Sequence, residues 1–178
     1  MLTCAFTGHR PQHLHICGDD VLLLKRLLYQ AIERAYSLGC RNFISGMALG
    51  VDQWAAREVI AFRALHGDVR LHCAIPCSGQ YARWRESDRR NYFDIIRSAD
   101  SVTVLAERYS DGCMQRRDRW MIEKSDRLIA VYTGRYGGTF LTIKMAEKKG
   151  IPIDYVMFRN ENTRPSDDML GRDMKLIP

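Results

Sequence analysis

Short apolar runs alternate along the chain with longer segments in which apolar residues recur at helical spacing. The short runs predict strands at 3–7, 42–44, 69–75, 101–105, 128–131 and 153–156. The longer segments predict helices at about 19–38, 52–67, 79–98, 115–121 and 139–150. This alternation predicts an α/β fold, a three-layer sandwich in which helices cover both faces of a mostly parallel sheet.

No linker or tandem repeat interrupts the pattern, so the sequence predicts one domain over residues 1–158. A chain of 178 residues is long enough to bury a core without disulfides or structural metals. Residues 159–178 are polar and weakly patterned, and we expect them to form a tail or a loosely packed extension.

Composition excludes several classes of protein. An apolar content of 46% and a mean hydropathy of −0.29 are typical of soluble globular proteins, and no apolar run approaches the ~20 residues of a membrane span. The N-terminus lacks the basic and apolar regions of an export signal. No second cysteine pair or histidine cluster joins Cys73 and Cys77 to complete a zinc site. We therefore expect a cytoplasmic protein with reduced thiols, no metal site and no membrane partner.

A loop flanked by glycines, SGMALGVD (45–52), follows the second predicted strand and leads into a helix. Backbone N–H groups at a helix N-terminus can bind an anion, and Gly46 and Gly50 would let a ligand approach the main chain. The alternative is an ordinary strand-to-helix turn in which Asp52 is the N-cap.

Two further loops follow strands in the same way, GHR (8–10) after the first strand and GGT (137–139) after the fifth. Because parallel strands end at one edge of a sheet, we predict a single cleft lined by residues 8–10, 45–50 and 137–139. Arg10 is suited to a phosphate and His9 to a sugar or base; alternatively, His9 caps a turn and Arg10 is solvated.

Other phosphate-binding signatures are missing from the sequence. There is no GxxxxGK[ST] motif and no GxGxxG after the first strand, which disfavours a P-loop NTPase and a standard NAD dehydrogenase. The formal charge of +6 favours anionic partners but does not choose between a nucleotide and a nucleic acid.

Aromatic residues and arginines are interleaved in the predicted helix at 79–98. Tyr81 and Trp84 among arginines are a pattern that stacks on nucleotide bases, and we predict that Trp84 lies at the mouth of the cleft. The alternative is a solvated face of mixed charge. Tyr92 and Phe93, later in the same segment, are expected to point inward.

Four motifs occur along the chain in this order: TGHRP (7–11), SGMALGVD (45–52), IP with Q and W (75–84) and GGT (137–139). The same order is seen in the YpsA-like branch of the SLOG (Smf/DprA–LOG) superfamily, which the chain resembles over about residues 1–157. SGMALGVD also resembles the SGLARGID-type loop of the DNA-processing protein DprA. The resemblance implies a Rossmann-like fold with a nucleotide or nucleotide-derived ligand between these loops. The predicted ligand-binding residues are Gly8, His9, Arg10, Ser45, Gly46, Gly50, Asp52, Gln80, Trp84, Arg117, Gly137, Gly138 and Thr139.

Arg117 stands where this branch usually has an Arg-Asn pair, but here the second residue is Asp118. The related LOG-type phosphoribohydrolases carry a PGGxGTxxE loop, whose glutamate suits acid/base chemistry at a ribose. Aligning GT of that motif on residues 138–139 puts Thr142 at the glutamate position, and a threonine cannot supply the negative charge.

Three functions follow from the resemblance. The first is a cytoplasmic, sensor-like protein that binds a nucleoside phosphate or an ADP-ribose-like molecule and signals to a protein partner that the sequence does not identify. The second is an enzyme that cleaves an N-glycosidic bond, for which Asp52 or Asp118 would have to replace the glutamate. The third, less favoured, is a DprA-like single-stranded DNA binder. A homo-oligomer is compatible with each of them.

Overall fold

A six-stranded sheet, in which every neighbouring pair of strands is parallel, forms the centre of the protein. The computed structural model describes residues 1–157, so the predicted tail at 159–178 lies outside the described residues. The strands are β1 (Leu2–Gly8), β2 (Cys40–Ser45), β3 (Arg70–Ile75), β4 (Ser101–Val104), β5 (Arg127–Val131) and β6 (Ile153–Tyr155). The helices are α1 (Pro11–Leu14), α2 (Asp19–Ser37), α3 (Val51–Leu65), α4 (Glu86–Ser98), α5 (Cys113–Glu123) and α6 (Gly138–Lys149).

The strand order is β4-β3-β2-β1-β5-β6. The chain therefore winds outward from β1 to β4 and then returns to the other side of β1 with β5 and β6. A sheet of this kind has its switch point between β1 and β5, where the loops after these two strands diverge to opposite faces and leave a crevice. In this topology the crevice lies between the loops that follow β1 and β5.

Side chains on alternate strand positions pack on opposite faces of the sheet, as expected for strands covered on both sides. Phe6 and Phe43 stack with their ring centroids 6.0 Å apart in the cluster that includes residues of α2, α3 and α4. Ala5 and Ile44 face the other way and pack with Met121 and other residues of α5 and α6. The predicted three-layer α/β architecture is confirmed.

The helix predicted at 79–98 is the element that differs most from the prediction, because α4 begins only at Glu86. Gly79 has a φ of 76°, and the N–H groups of Ala82 and Trp84 make short turns onto the carbonyls of Gly79 and Tyr81. Turns of this kind do not propagate as an α-helix, so the aromatic segment folds separately from α4.

Two smaller expectations also change. Phe93 is 37% exposed, whereas Tyr92 and Ile95 supply the buried face of α4. Asp52 is not the N-cap of α3, since Gly50 holds that position and Asp52 lies within the first turn. The short α1 was not predicted, although proline at the first position of a helix is a known signal.

Candidate ligand-binding cleft

A cleft of about 330 Å³ opens at the carboxyl ends of β1 and β5, at the switch point of the sheet. Eight of the thirteen predicted ligand-binding residues line it: Gly8, His9, Arg10, Asp52, Arg117, Gly137, Gly138 and Thr139. The structure therefore brings the loops after β1 and β5 together with the first turn of α3 and with one side of α5.

Glycines at two of these loops allow elements to pack closely rather than exposing backbone to a ligand. A Cβ on Gly8 would lie 2.5 Å from the side chain of Val51. A Cβ on Gly50, whose φ is 93°, would lie 2.7 Å from Cδ of Pro11. These two glycines let the end of β1 and the start of α1 pack on the start of α3, which fixes one wall of the cleft.

The glycine loop before α6 is different because it is open. A Cβ on Gly137 or Gly138 would meet no atom of the described residues within 4 Å. Gly137 has a φ of 154° and a ψ of −164°, a conformation that residues with a Cβ avoid. No side chain of residues 1–157 caps the N-terminus of α6, so within this part of the chain its first N–H groups remain available to an anion.

Arg117 is the centre of a buried charge cluster at the floor of the cleft, and only 5% of it is exposed. Its Nη1 donates hydrogen bonds to the carbonyl oxygen of Gly46 and, at 3.2 Å, to Oδ2 of Asp52. Asp52 Oδ2 also accepts a hydrogen bond from the N–H of Ala48 at 3.2 Å. A Cβ on Gly46 would overlap the guanidinium, so the glycine of the SGMALGVD loop admits this arginine.

Asp118 lies on the other side of the same guanidinium. Its Oδ1 is 2.8 Å from Nε of Arg117, but the contact lacks hydrogen-bond geometry, and the buried Nε has no acceptor among the described residues. The distance is that of an ion pair, while the angle leaves the pair without a directed hydrogen bond. Arg117 and Asp118 are adjacent in sequence on one helix, which prevents their side chains from meeting end to end.

Asp52 and Asp118 share one cation, Arg117, and burial raises the pKa of each carboxyl. Burial raises the pKa of Asp52 to about 6, against the lowering effect of Arg117, and Asp118 raises it further. Burial likewise raises the pKa of Asp118 above its ordinary value, with Arg117 acting in the opposite direction. Burial would lower the pKa of Arg117, but Asp118 and Asp52 raise it more, so the guanidinium stays charged.

His9 connects the loops after β1 and β5. Its Nε2 accepts a hydrogen bond from the N–H of Thr133 at 3.4 Å, and its ring stacks on Tyr132 with centroids 5.8 Å apart. Burial lowers the pKa of His9, and the nearby His13 and Arg135 lower it further. A neutral His9 that accepts from Thr133 holds the two walls of the cleft in place.

The remaining predicted residues do not line the cleft. Ser45 is fully buried, donates to the Asp52 carbonyl and accepts from the N–H of Met47. Gln80 donates to the carbonyl of Met47 at 3.4 Å, and this hydrogen bond supports Met47 at its φ of 58°.

Trp84 does not lie at the mouth of the cleft but packs edge-on against Tyr92, with ring centroids 5.5 Å apart, because the segment before α4 folds back onto the core. Gly46 and Gly50 occupy the positions behind Arg117 and under Pro11 already described.

Replacing Trp84 with alanine should lower the free energy of unfolding by about 1–2 kcal/mol, since a half-buried indole would be lost from an aromatic cluster. Ligand affinity should not change. Urea unfolding of the alanine variant checks the first expectation, with the exposed neighbour Arg83→Ala as control. An unchanged stability combined with weakened nucleotide binding would restore Trp84 to the ligand site.

Sequence reasoning missed several residues that line the cleft. Arg135 and Tyr136 precede the glycines of the open loop, and their position in GRYGGT was a usable signal. His13 belongs to the unpredicted α1. No local pattern pointed to Met114, whose place in the cleft depends on how α5 packs on the sheet.

Replacing Asp52 with asparagine should remove a loss of stability that develops as the pH rises. Below about pH 3 the carboxyl is largely protonated in both the folded and the unfolded chain. Between about pH 3 and pH 6 the unfolded chain releases the proton, while most of the folded protein, in which Asp52 has a pKa of about 6, keeps it. Wild type should therefore lose on the order of 2–3 kcal/mol from this group across that window.

Urea unfolding of wild type and Asp52→Asn from pH 4 to 8 measures this effect. The stability of wild type minus that of the variant should fall from pH 4 to about pH 6.5 and level off above pH 7. Asp111→Asn, an exposed carboxyl change, should show no such trend. A difference that rises with pH would mean that Arg117 outweighs burial.

An all-parallel sheet with its cleft at the strand-order reversal places this protein among Rossmann-like α/β proteins. The family model YpsA, described as the YspA SLOG family, matches residues 4–160. The chain belongs to this family.

A UPF0398 protein of Halalkalibacterium halodurans is 28% identical over 155 residues, covering 84% of this chain and 82% of the relative. A UPF0398 protein of Bacillus cereus strain G9842 is 31% identical over 156 residues, covering 84% and 85%.

Two solved structures share the fold. DNA processing protein A (DprA) from Streptococcus pneumoniae superposes with a TM-score of 0.60 at 16% identity, covering 86% of this chain and 50% of DprA. DprA from Helicobacter pylori, described with a single-stranded DNA binding mode, gives 0.59 at 20% identity, covering 86% and 64%. This chain thus spans half of the first DprA chain and 64% of the second.

Across residues 1–157, no helix has the length and apolar character to cross a membrane.

Proposed function

We propose that this protein is a cytoplasmic, sensor-like binding protein for a nucleotide or nucleotide-derived molecule, such as a nucleoside phosphate or an ADP-ribose-like compound. The ligand phosphate would lie at the N-terminus of α6, against residues 137–139 and facing residues 8–10. The observation that carries the proposal is the open glycine loop, whose uncapped N–H groups share one cleft with Arg10.

The charges around the cleft support an anionic ligand at the rim. Arg10 and Arg135 both line it, and Arg10 forms no ion pair with any residue that the structure describes. A guanidinium and several backbone N–H groups can bind one phosphate together through charge-assisted hydrogen bonds. The carboxylates lie on the floor, beside Arg117, so the rim and the floor differ in charge.

A thermal-shift screen tests the proposal with AMP, ADP, ADP-ribose and NAD over a wide concentration range. A ligand that binds only the folded protein raises the Tm by mass action, by an amount that grows with its concentration. Inorganic phosphate controls for simple anion binding. Arg10→Ala should reduce the shift, while Arg26→Ala, an exposed change on α2, should not. If none of these compounds shifts the Tm, the proposal is wrong.

One observation favours the second candidate, cleavage of an N-glycosidic bond. Asp118 lies beside Thr142, the residue at the position of the LOG-type glutamate, and both Asp118 and Asp52 line the cleft. Departure of a base builds positive charge on the ribose, and a carboxylate nearby can stabilise it. A carboxyl whose pKa is raised by burial is suited to proton transfer.

Incubation with purine and pyrimidine nucleoside monophosphates, followed by chromatography of the free base, separates this candidate from the sensor. Base release that Asp118→Asn abolishes would assign an enzyme, whereas binding without release supports the sensor.

Single-stranded DNA binding is a third candidate, which comes from the H. pylori neighbour. An oligonucleotide in the same screen tests it, and genuine DNA binding should weaken steeply with salt.

A further inference from the structure

The carboxylate of Asp118 has acceptor capacity that the described residues do not use. Its contact with Nε of Arg117, at 2.8 Å, is not a directed hydrogen bond. Its other neighbour, Thr142, has one hydroxyl proton, which it donates to the carbonyl of Gly138 at 2.9 Å. An ionised carboxylate can accept at about four lone-pair positions, so Asp118 can still accept hydrogen bonds from a ligand.

Arg117 is a second polar group of the floor whose hydrogen bonds the described residues do not complete. The arginine lines the cleft and is only 5% exposed, and its Nε, although 2.8 Å from Oδ1 of Asp118, has no acceptor with hydrogen-bond geometry among the described residues. A buried donor without a directed hydrogen bond costs free energy that a native structure normally avoids. A hydroxyl oxygen entering the floor could accept from the guanidinium while its proton is donated to Asp118.

The spacing along α6 gives an approximate distance between the floor and the open glycine loop. Thr142 follows Gly138 by one turn of α6, a rise of about 5–6 Å, and Asp118 is beside Thr142. A group bound at the N-terminus of α6 and a group bound at Asp118 are therefore about as far apart as the phosphate and the ring hydroxyls of a pentose phosphate.

The charge of the floor restricts what can bind there. Asp52 and Asp118 together with a single arginine carry an excess of negative charge when both are ionised, which disfavours a second phosphate at this position. Among the described residues no three His, Cys, Asp or Glu side chains are grouped to hold a metal ion. The remaining match is a neutral group with several O–H donors.

We propose that the floor recognises the vicinal hydroxyls of a ribose, with Asp118 accepting from a hydroxyl and Arg117 donating to it. This inference rests on the proposed function, since the phosphate of the same ligand would occupy the N-terminus of α6. It assigns the ligand to ribose phosphates rather than to deoxyribose phosphates. A site built to hydrogen-bond a hydroxyl rejects the analogue that lacks it, because its buried polar groups are then left unpaired.

Isothermal titration calorimetry with matched pairs of probes tests this without knowledge of the base. The pairs are ribose 5-phosphate with 2-deoxyribose 5-phosphate, and AMP with 2′-deoxy-AMP. Wild type should bind the ribose member of each pair at least tenfold more tightly. Asp118→Asn should bind both members with affinities within about threefold of each other. Asp111→Asn, an exposed change just before α5, should keep the wild-type preference.

Each outcome decides something distinct. Equal binding of ribose and deoxyribose probes to wild type overturns the ribose assignment but leaves phosphate binding at α6 intact. No binding of any phosphate-bearing probe overturns the proposed function as well. If Asp118→Asn does not fold, the comparison on wild type alone still decides. A preference for ribose that survives in a folded Asp118→Asn would move recognition away from Asp118.

Discussion

Replacing Arg117 with methionine should lower the free energy of unfolding at pH 7 by about 3–5 kcal/mol. The guanidinium is buried between Asp52 and Asp118 and also binds the carbonyl of Gly46. Methionine fills much of the space but provides no charge and no donor, so two buried carboxylates and a carbonyl would lose their partner. Breaking a buried ion pair from one side is costly because it leaves the other charge uncompensated.

Chemical unfolding of the variant between pH 5 and 8 measures this loss. The loss should shrink as the pH falls, because protonation of Asp52 and Asp118 removes the charges that Arg117 compensates. Arg116→Met, at an exposed neighbouring position on α5, is the matched control and should cost far less. A loss below about 1 kcal/mol at pH 7 would show that the carboxylates are already largely neutral in the folded protein.

Replacing Gly138 with valine should abolish binding of phosphate-bearing nucleotides, with at least a hundredfold loss of affinity and little change in apo stability. A Cβ at this position meets no atom of residues 1–157 within 4 Å, so the variant should fold. The added side chain would occupy the space in front of the first N–H groups of α6, which the phosphate is expected to use. Helix propensity changes by less than about 1 kcal/mol at one position.

Calorimetry with whichever nucleotide gives the largest thermal shift measures the loss. Gly67→Val is a matched control, because its Cβ would also meet no described atom within 4 Å but lies beyond the end of α3, outside the cleft. The control should bind as wild type does. Full binding by a folded Gly138→Val would mean that the ligand phosphate does not contact the N-terminus of α6.

Local sequence was sufficient for the strands and for most of the helices. Apolar runs such as residues 128–131 are buried on both sides, and a parallel strand with both faces covered is apolar at nearly every position. The helix predicted at 79–98 was the exception. Its polar half has no periodic apolar face that would distinguish a helix from a set of turns. The positive φ of Gly79, which rules out a helix beginning there, is visible only in the structure.

The glycine motifs identified loops correctly but not what each glycine does. A glycine in sequence can admit a ligand, a positive φ or a neighbouring side chain. At Gly46 the neighbour is Arg117, which is separated from it by 71 positions. At Gly137 and Gly138 no atom of the part of the chain that the structure describes lies within 4 Å of the Cβ position, and these are the glycines that leave backbone open to the cleft.

The sequence by itself therefore determined the α/β class, the edge of the sheet at which the loops meet and the family resemblance. These follow from periodicity and from the order of short motifs, which are local properties. Only the tertiary structure decided that Arg117 enters the floor between Asp52 and Asp118, and that Gln80 and Trp84 support the core instead of lining the cleft. Those outcomes depend on contacts between segments that are distant in sequence. These contacts bring Arg117 to Asp52, and the resulting burial is the largest cause of the raised pKa values of Asp52 and Asp118.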